Sequence, residues 1–311
     1  MIINSDYPIN EEVFNDLIDL NSEYVILNSI EIQENNPEHK IVLPNSIEKE
    51  CRFCKKSYPF VKFKNISHAI PEFIGNKSLL SEFECDSCNS FFSVFENEFA
   101  NYLLPFNTIS KTKTKKNKTP KYKNKIEIFT SENNVLNVKN IEENSIIDKK
   151  TIAFSVDIPS YIPEHIYRIL IKIGISFIPE NMINQFSKTI EWLMNPEANL
   201  TIPPNMIFTL FPFSSSIDKV RLVLFKSKPN VTRNIPDVIF SLSYRNFSFQ
   251  TFFPIFPKEN ISNFFPFPHI IPGSLDLDKE LLNRIQYNPV DLSKKERVKN
   301  DKIEFKIESL D

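Results

Sequence analysis

All four cysteines of this 311-residue chain form two Cys-x-x-Cys pairs, Cys51 with Cys54 and Cys85 with Cys88. Thiolates at positions i and i+3 of a tight turn can occupy two corners of a tetrahedral zinc site, and a second such turn supplies the other two. A metal is favoured over disulfides because no other cysteine is present and no secretory signal precedes the pairs. With four protein thiolates no corner is left for a reactive water, so the predicted Zn²⁺ is structural.

Composition sets the limits for the rest of the chain. A hydrophobic fraction of 41% with 13% aromatic residues is enough for packed cores, and 311 residues favour two domains. The formal net charge of −2 gives no overall attraction to phosphates, so binding of nucleic acid would need a local basic patch. No long apolar run or basic, apolar leader is present, and we therefore expect a cytoplasmic protein without a membrane partner.

The order of patterns predicts an α+β fold. We expect a small zinc-stapled domain, followed by a larger mixed α/β C-terminal domain with antiparallel strands. The sequence divides into four parts. Residues 1–47 are a packing segment, and residues 48–108 are a domain that we call the cysteine module. Residues 109–125 are a basic linker, and residues 126–311 are the C-terminal domain of unknown role.

Within the cysteine module, the alternation at Val61–Lys64 predicts a strand, and a helix is predicted from near Ser87. Pro105 is predicted to end this helix. Its buried stripe at helical spacing consists of Cys88, Phe91, Phe92, Phe95, Phe99, Tyr102 and Leu103. Further on, amphipathic helices are predicted over Pro163–Phe177 and Pro179–Met194 and antiparallel strands over Val220–Phe225, Val238–Ser243 and Phe247–Phe253.

Two polar residues have placements that point to chemistry. His68 follows the predicted first strand, and Asn89 directly follows the last cysteine at the start of the predicted helix. A histidine can act as a general base toward a water that attacks phosphorus. An amide oxygen can help to hold a hard cation such as Mg²⁺. Each residue also has an interpretation without a functional role. His68 could be a histidine that is hydrogen-bonded in a small core, and Asn89 could be an ordinary polar residue in the first turn of a helix.

These residues carry a family resemblance. The two cysteine pairs, Ser67-His68-Ala-Ile-Pro-Glu72 and Asn89 resemble the HNH endonuclease superfamily with its ββα-metal fold, especially bacterial HNH proteins with four zinc cysteines. The resemblance covers residues 48–104. A weaker one to full-length bacterial HNH proteins, often found near phage-defence genes, continues through residues 120–123 and 161–178.

The resemblance implies a metal-dependent endonuclease acting on nucleic acid, with double-stranded DNA as the favoured substrate. It makes His68 the general base and Asn89 a ligand of a catalytic Mg²⁺ or Mn²⁺. In that family the residue before the histidine is commonly Asp, whereas here it is Ser67, a poor replacement for an anion beside Mg²⁺. Substitute carboxylates near in sequence are Glu72, Glu84 and Asp86. Glu96 shares the helix face of Asn89, but seven residues separate the two by about 10 Å, too far for one shared metal.

A run of basic residues could form the local patch that nucleic-acid binding would need in a protein of negative net charge. It contains eight lysines and no acidic residue: Lys111, Lys113, Lys115, Lys116, Lys118, Lys121, Lys123 and Lys125. Such a run is either a solvated linker or a set of sequence-independent phosphate contacts.

Two further questions stay open at the level of sequence. The alternative to an enzyme is a catalytically weak zinc-ribbon protein that only binds nucleic acid or a partner. The C-terminal domain could position, dimerise or regulate the module, or sense a nucleotide or phage component. A homodimer would explain double-strand cutting by a module with one site.

Overall fold

The computed structural model describes nine ranges of the chain. They are residues 22–45, 49–114, 116–130, 135–141, 151–200, 203–211, 216–232, 235–254 and 285–308. Helices and predominantly antiparallel sheets are combined, so the predicted α+β class is confirmed. No helix within these ranges is both long and apolar enough to cross a membrane.

A six-stranded antiparallel sheet is the largest element of the C-terminal part. Apolar and small polar side chains alternate along its central strands, which places aromatic rings such as Phe208 and Phe249 in a stack, 5.0 Å between ring centroids. In spatial order the strands are β1 (Tyr24–Gln33), β10 (Ile217–Ser227), β11 (Val238–Arg245), β12 (Phe247–Phe252), β9 (Asn205–Leu210) and β13 (Gln286–Asp291).

Smaller sheets complete the strand inventory of the described ranges. They are β2 (Ile41–Leu43) with β4 (Leu79–Ser81) and β3 (Ser67–His68), then β5 (Tyr122–Lys123) with β6 (Glu127–Thr130) and β7 (Leu136–Lys139), and finally β8 (Thr151–Asp157) with β14 (Lys302–Glu308). The predicted packing segment 1–47 thus contributes to two sheets. Its strand β1 pairs with β10 of the large sheet, whereas β2 pairs with β4 of the cysteine module.

The described ranges contain three α-helices, which are α1 (Asp86–Ile109), α2 (Pro163–Phe177) and α3 (Ser187–Met194). The bounds of α2 are those predicted, with proline at its first turn. The second predicted C-terminal helix divides into a 3₁₀ segment, Glu180–Phe186, and α3.

Two predictions for the cysteine module are wrong. Val61–Lys64 is not a strand, because its backbone bonds to the start of α1: the amide of Asp86 donates to the carbonyl of Lys62 at 2.9 Å. Pro105 does not end α1, which continues for four residues beyond it. Phe106 and Ile109 are almost fully buried there, and their burial offsets the hydrogen bond that proline cannot donate.

Helix α2 joins the cysteine module to the large sheet. The guanidinium of Arg52, inside the first cysteine turn, donates to the carbonyl oxygens of Ile175, Ser176 and Ile178 at the end of α2. Carbonyls at the end of a helix lack the usual i+4 partner, although that of Ile175 also accepts from the amide of Ile178 at 3.3 Å, and a cation beside them is favourable. On its other side α2 approaches the sheet so closely that a Cβ on Gly174 would lie 2.6 Å from the ring of Phe253. The module and the sheet therefore share one hydrophobic core.

Candidate metal centre and catalytic site

The four thiols meet as the sequence predicts. Their sulfur atoms all lie within 4.8 Å of one another, and the Sγ atoms of Cys54 and Cys85 are 3.8 Å apart. Four sulfurs at about 2.3 Å from a tetrahedral zinc ion are roughly 3.8 Å from each other, so the arrangement fits Zn²⁺. Three of the cysteines are buried and Cys54 is partly so.

The electrostatics of the thiol cluster favour a bound cation. A hydrogen bond from Cys88 lowers the pKa of Cys51 to about 5, whereas burial raises the pKa of Cys85 to about 11. The pKa of Cys88 rises as well, mainly because its proton bonds the Cys51 thiolate. Four thiolates this close cannot ionise together without a positive charge between them, and a bound Zn²⁺ would supply that charge.

The catalytic candidates lie on the elements that follow the first cysteine turn. His68 is on β3, which pairs antiparallel with β4, opposite Leu80. Asn89 is in the first turn of α1, where its backbone N–H donates to the carbonyl of Cys85 at 2.9 Å. Both side chains are partly exposed, so each is accessible to solvent. Two strands followed by a helix, with the catalytic candidates on β3 and α1, form a ββα arrangement.

The carboxylates that could replace the missing aspartate differ in their surroundings. Glu72 is partly exposed, and its Oε1 lies 3.8 Å from Nε2 of His68. Asp86 instead accepts hydrogen bonds from the backbone amides of Lys64 and Asn65, at 3.1 and 3.0 Å. Of the nearby carboxylates, Glu72 is therefore the best placed to join His68 in a site.

Ser67 offers little to a cation. Its side chain is 2% exposed, and its Oγ is buried without a hydrogen bond in the described ranges. It stands opposite Ser81 in the β3–β4 pair, whose hydroxyl is buried in the same way. The hydroxyl that replaces the usual carboxylate is thus sequestered in the sheet.

Glu84 has a partner that the sequence did not reveal. Its Oε2 lies 2.9 Å from Nζ of Lys172, on α2, and both side chains are fully buried. The same ammonium group is 3.5 Å from the carbonyl oxygen of His68. Lys172 lies 83 positions beyond Asn89 in the sequence and belongs to no motif, so only the fold brings it to this site.

Glu96 belongs to the same electrostatic neighbourhood. Burial raises the pKa of its carboxyl group, Lys172 opposes that shift, and the charge of Glu72 adds to it. Glu84 and Glu96 therefore both lie within electrostatic reach of one buried lysine, and Glu72 lies within reach of Glu96. The helical spacing between Asn89 and Glu96 still keeps them about 10 Å apart along α1.

The basic run lies at the far end of α1 from Asn89. Twenty residues of helix separate Asn89 from Ile109, a distance of roughly 30 Å. The exposed lysines there are Lys113, Lys116, Lys118, Lys121, Lys123 and Lys125, whereas Lys111 is partly buried and Lys115 lies outside the described residues. The run contains ordered turns and the strand β5, since Thr114 N donates to the carbonyl of Lys118 at 2.9 Å.

Fold and site together define a small ββα module with a four-cysteine centre, attached to a larger strand-rich part. Residues 51–103 match a family model described as HNH endonuclease. The match contains the four cysteines, His68 and Asn89, and it confirms the resemblance of the cysteine module to nucleases that act on nucleic acid. Neither the curated proteins nor the solved structures contain a match to this chain.

Proposed function

We propose that this protein is a metal-dependent endonuclease that hydrolyses phosphodiester bonds in nucleic acid, with DNA as the preferred substrate. The observation that carries the proposal is the placement of an accessible histidine on β3 and an accessible amide in the first turn of α1. The four-thiol cluster fixes the start of α1, because Cys85 and Cys88 flank it, and β3 is held by its pairing with β4.

His68 is the proposed general base, which accepts a proton from the water that attacks phosphorus. Glu72, 3.8 Å from the imidazole, stabilises the imidazolium that forms. The oxygens of Asn89 and Glu72 are the hard donors that Mg²⁺ or Mn²⁺ prefers, and these residues would hold the ion. When bound, such an ion stabilises charge on the scissile phosphate and the leaving oxygen.

Contacts to the substrate backbone are the proposed role of the basic run. Its exposed lysines can neutralise phosphates without reading sequence, and their distance from Asn89 suits a substrate that extends along the module. The C-terminal part would then position, dimerise or regulate the module, and a function in phage defence fits such an arrangement. Free thiols at the zinc site agree with a reducing compartment such as the cytoplasm.

A binding protein without catalysis is the second candidate, and Ser67 is the observation that favours it. The buried hydroxyl at this position supplies no charge for a catalytic cation. In this alternative the zinc ribbon docks on nucleic acid or on a partner, and Glu72 serves only to fix the histidine.

Plasmid nicking in Mg²⁺ or Mn²⁺ separates the two candidates. We expect the unmodified protein to nick, and His68→Ala to lose about 100-fold or more of the rate. His39→Ala is the matched control, since His39 is exposed in the loop after β1 and should leave nicking unchanged. Zinc content must be equal in all three proteins. An unmodified protein that cuts no DNA or RNA with either metal would leave only the binding role.

A further inference from the structure

An exposed aromatic and basic segment lies between the first cysteine pair and His68. Residues 55–66 contain four lysines and no acidic residue. Phe60 is 88% exposed and Tyr58 is 64% exposed, which places two aromatic rings in solvent on the same short segment. The exposed lysines around them are Lys55, Lys56, Lys62 and Lys64. The segment therefore combines two exposed rings with four exposed lysines and contains no acidic residue of its own.

The exposed rings belong to an ordered segment. The amide of Tyr58 donates to the carbonyl of Lys49 at 3.0 Å, and that of Phe60 donates to the carbonyl of Ser57 at 2.9 Å. Val61, next to Phe60, is buried. Phe60 is thus held on the surface by a fixed backbone, and such a ring loses little further freedom when it binds a ligand.

The far end of the segment is attached to the candidate catalytic site. The carboxylate of Asp86 accepts hydrogen bonds from the amides of Lys64 and Asn65, and its own amide donates to the carbonyl of Lys62. Asp86 is one helical turn before Asn89, and the segment continues directly into β3 with His68. A strand of nucleic acid held by this segment would therefore lie beside the site.

We propose that residues 55–66 bind unpaired bases of a nucleic-acid strand at the candidate site, with Phe60 stacking on a base and the lysines contacting phosphates. This inference rests on the proposed function, because it names the class of substrate for the same site. The four lysine charges of the segment, which has no acidic residue of its own, complement phosphates and disfavour a second copy of the same segment.

Unpaired bases fit Phe60 better than an intact duplex does. The faces of paired bases are covered by their neighbours, and the grooves present hydrogen-bonding edges. Phenylalanine has no group that bonds these edges, whereas its ring can stack on the free face of any base. The segment therefore selects bases that are already unpaired, as in single strands, forks or bubbles.

Binding measured by fluorescence anisotropy tests the proposal. The zinc-loaded His68→Ala protein is used so that the oligonucleotide is not cut, with a labelled single strand and the same sequence as a blunt duplex. Adding Phe60→Ala should raise the Kd for the single strand about 5-fold or more and leave duplex binding nearly unchanged. Replacing Lys62 and Lys64 by alanine should reduce the salt dependence by roughly 0.7 in log–log slope for each lost phosphate contact.

Two exposed residues outside the segment provide matched controls: Ile26 lies on β1, and Lys228 directly follows β10. Ile26→Ala removes an apolar side chain that is 64% exposed, and Lys228→Ala removes an exposed lysine. Neither change should alter binding. Equal binding by Phe60→Ala and its parent, or an equal loss with single strand and duplex, would overturn the assignment to unpaired bases.

A fluorescent variant gives a second readout that does not depend on affinity. The only tryptophan, Trp192, is 3% exposed, so the tryptophan introduced by Phe60→Trp would report on the surface of the segment. Single-stranded oligonucleotide should quench its emission, whereas Ile26→Trp should not respond. An unquenched Phe60→Trp would overturn the proposed stacking.

These binding results are independent of cutting. An unmodified protein that binds through Phe60 but never hydrolyses a phosphodiester would overturn the proposed nuclease and support the binding surface. A protein that cuts nucleic acid, but whose binding is unchanged by Phe60→Ala, would overturn only the present inference.

Discussion

The ammonium group of Lys172 lies 2.9 Å from Oε2 of Glu84, and neither side chain is exposed to solvent. Glu84 directly precedes Cys85 in the cysteine module, whereas Lys172 is on α2 of the C-terminal part. The ammonium group also reaches the carbonyl oxygen of His68. One buried ion pair thus joins the helix of one part to the strand and cysteine turn of the other.

Breaking this pair from one side should strongly destabilise the protein. Lys172→Met leaves the Glu84 carboxylate buried without its partner, and burial already raises the pKa of that group. Removal of one member of a buried pair costs about 3–5 kcal/mol, whereas replacement of both by apolar residues can be neutral. The free energy of unfolding is measured in urea for Lys172→Met, Glu84→Leu and the double variant. The double variant should lose much less stability than the sum of the losses in the two single variants. Additive losses would show that the two groups do not interact.

Removal of zinc should unfold the cysteine module, because four clustered thiols, three of them buried, cannot replace the metal by packing. We expect one zinc ion per chain by metal analysis, and loss of cooperative unfolding after treatment with a strong chelator. Cys85→Ser should bind less zinc, whereas His68→Ala should retain the full content. Cobalt substitution should give the absorption of a tetrahedral thiolate site; octahedral spectra would contradict the proposed ligands.

Glu72 should control the affinity for the catalytic cation. If its carboxylate takes the place of the one absent at Ser67, Glu72→Gln should raise the Mg²⁺ concentration for half-maximal nicking about 10-fold or more. Glu82→Gln is the matched control, because Glu82 is an exposed glutamate of the same module, in the connection between β4 and α1. If the two variants gave identical metal titrations, Glu72 would not be the carboxylate that binds the catalytic cation.

His165 should make stability depend on pH. Burial lowers its pKa, with Arg168 and Arg297 adding to the shift and Glu98 opposing it. The unfolded chain, with a histidine pKa of about 6.5, therefore binds more protons than the folded one as the pH falls through that value. Stability contributed by neutral His165 is present above about pH 6.5 and is lost below it.

Urea unfolding at pH 7.5 and 5.5 measures this contribution. His165→Phe should lose less stability between these pH values than the unmodified protein, while it keeps the ring contact to Phe95, now 4.7 Å between centroids. His39→Phe, at an exposed position, should behave like the unmodified protein. A pH dependence unchanged by His165→Phe would show that other groups cause it.

Local patterns predicted several elements well. The helix Pro163–Phe177 has the predicted bounds because proline fixes its first turn and an apolar face continues without interruption. The strand predicted at Val61–Lys64 is absent because two hydrogen bonds to Asp86 compete with any strand partner. Such competition depends on a residue more than twenty positions away and leaves no local signal.

The sequence by itself determined the four-thiol cluster and supplied the candidate catalytic residues of this protein. Cysteines at i and i+3 must lie on one turn, and their neighbours His68 and Asn89 follow from chain connectivity and motif. Only the tertiary structure decided what surrounds them. It buried Ser67, placed Glu72 beside His68, and brought Lys172 from α2 to Glu84. The physical reason is that a buried ion pair between distant residues is selected by the packing of whole helices and sheets, and no periodicity or spacing in the chain records it.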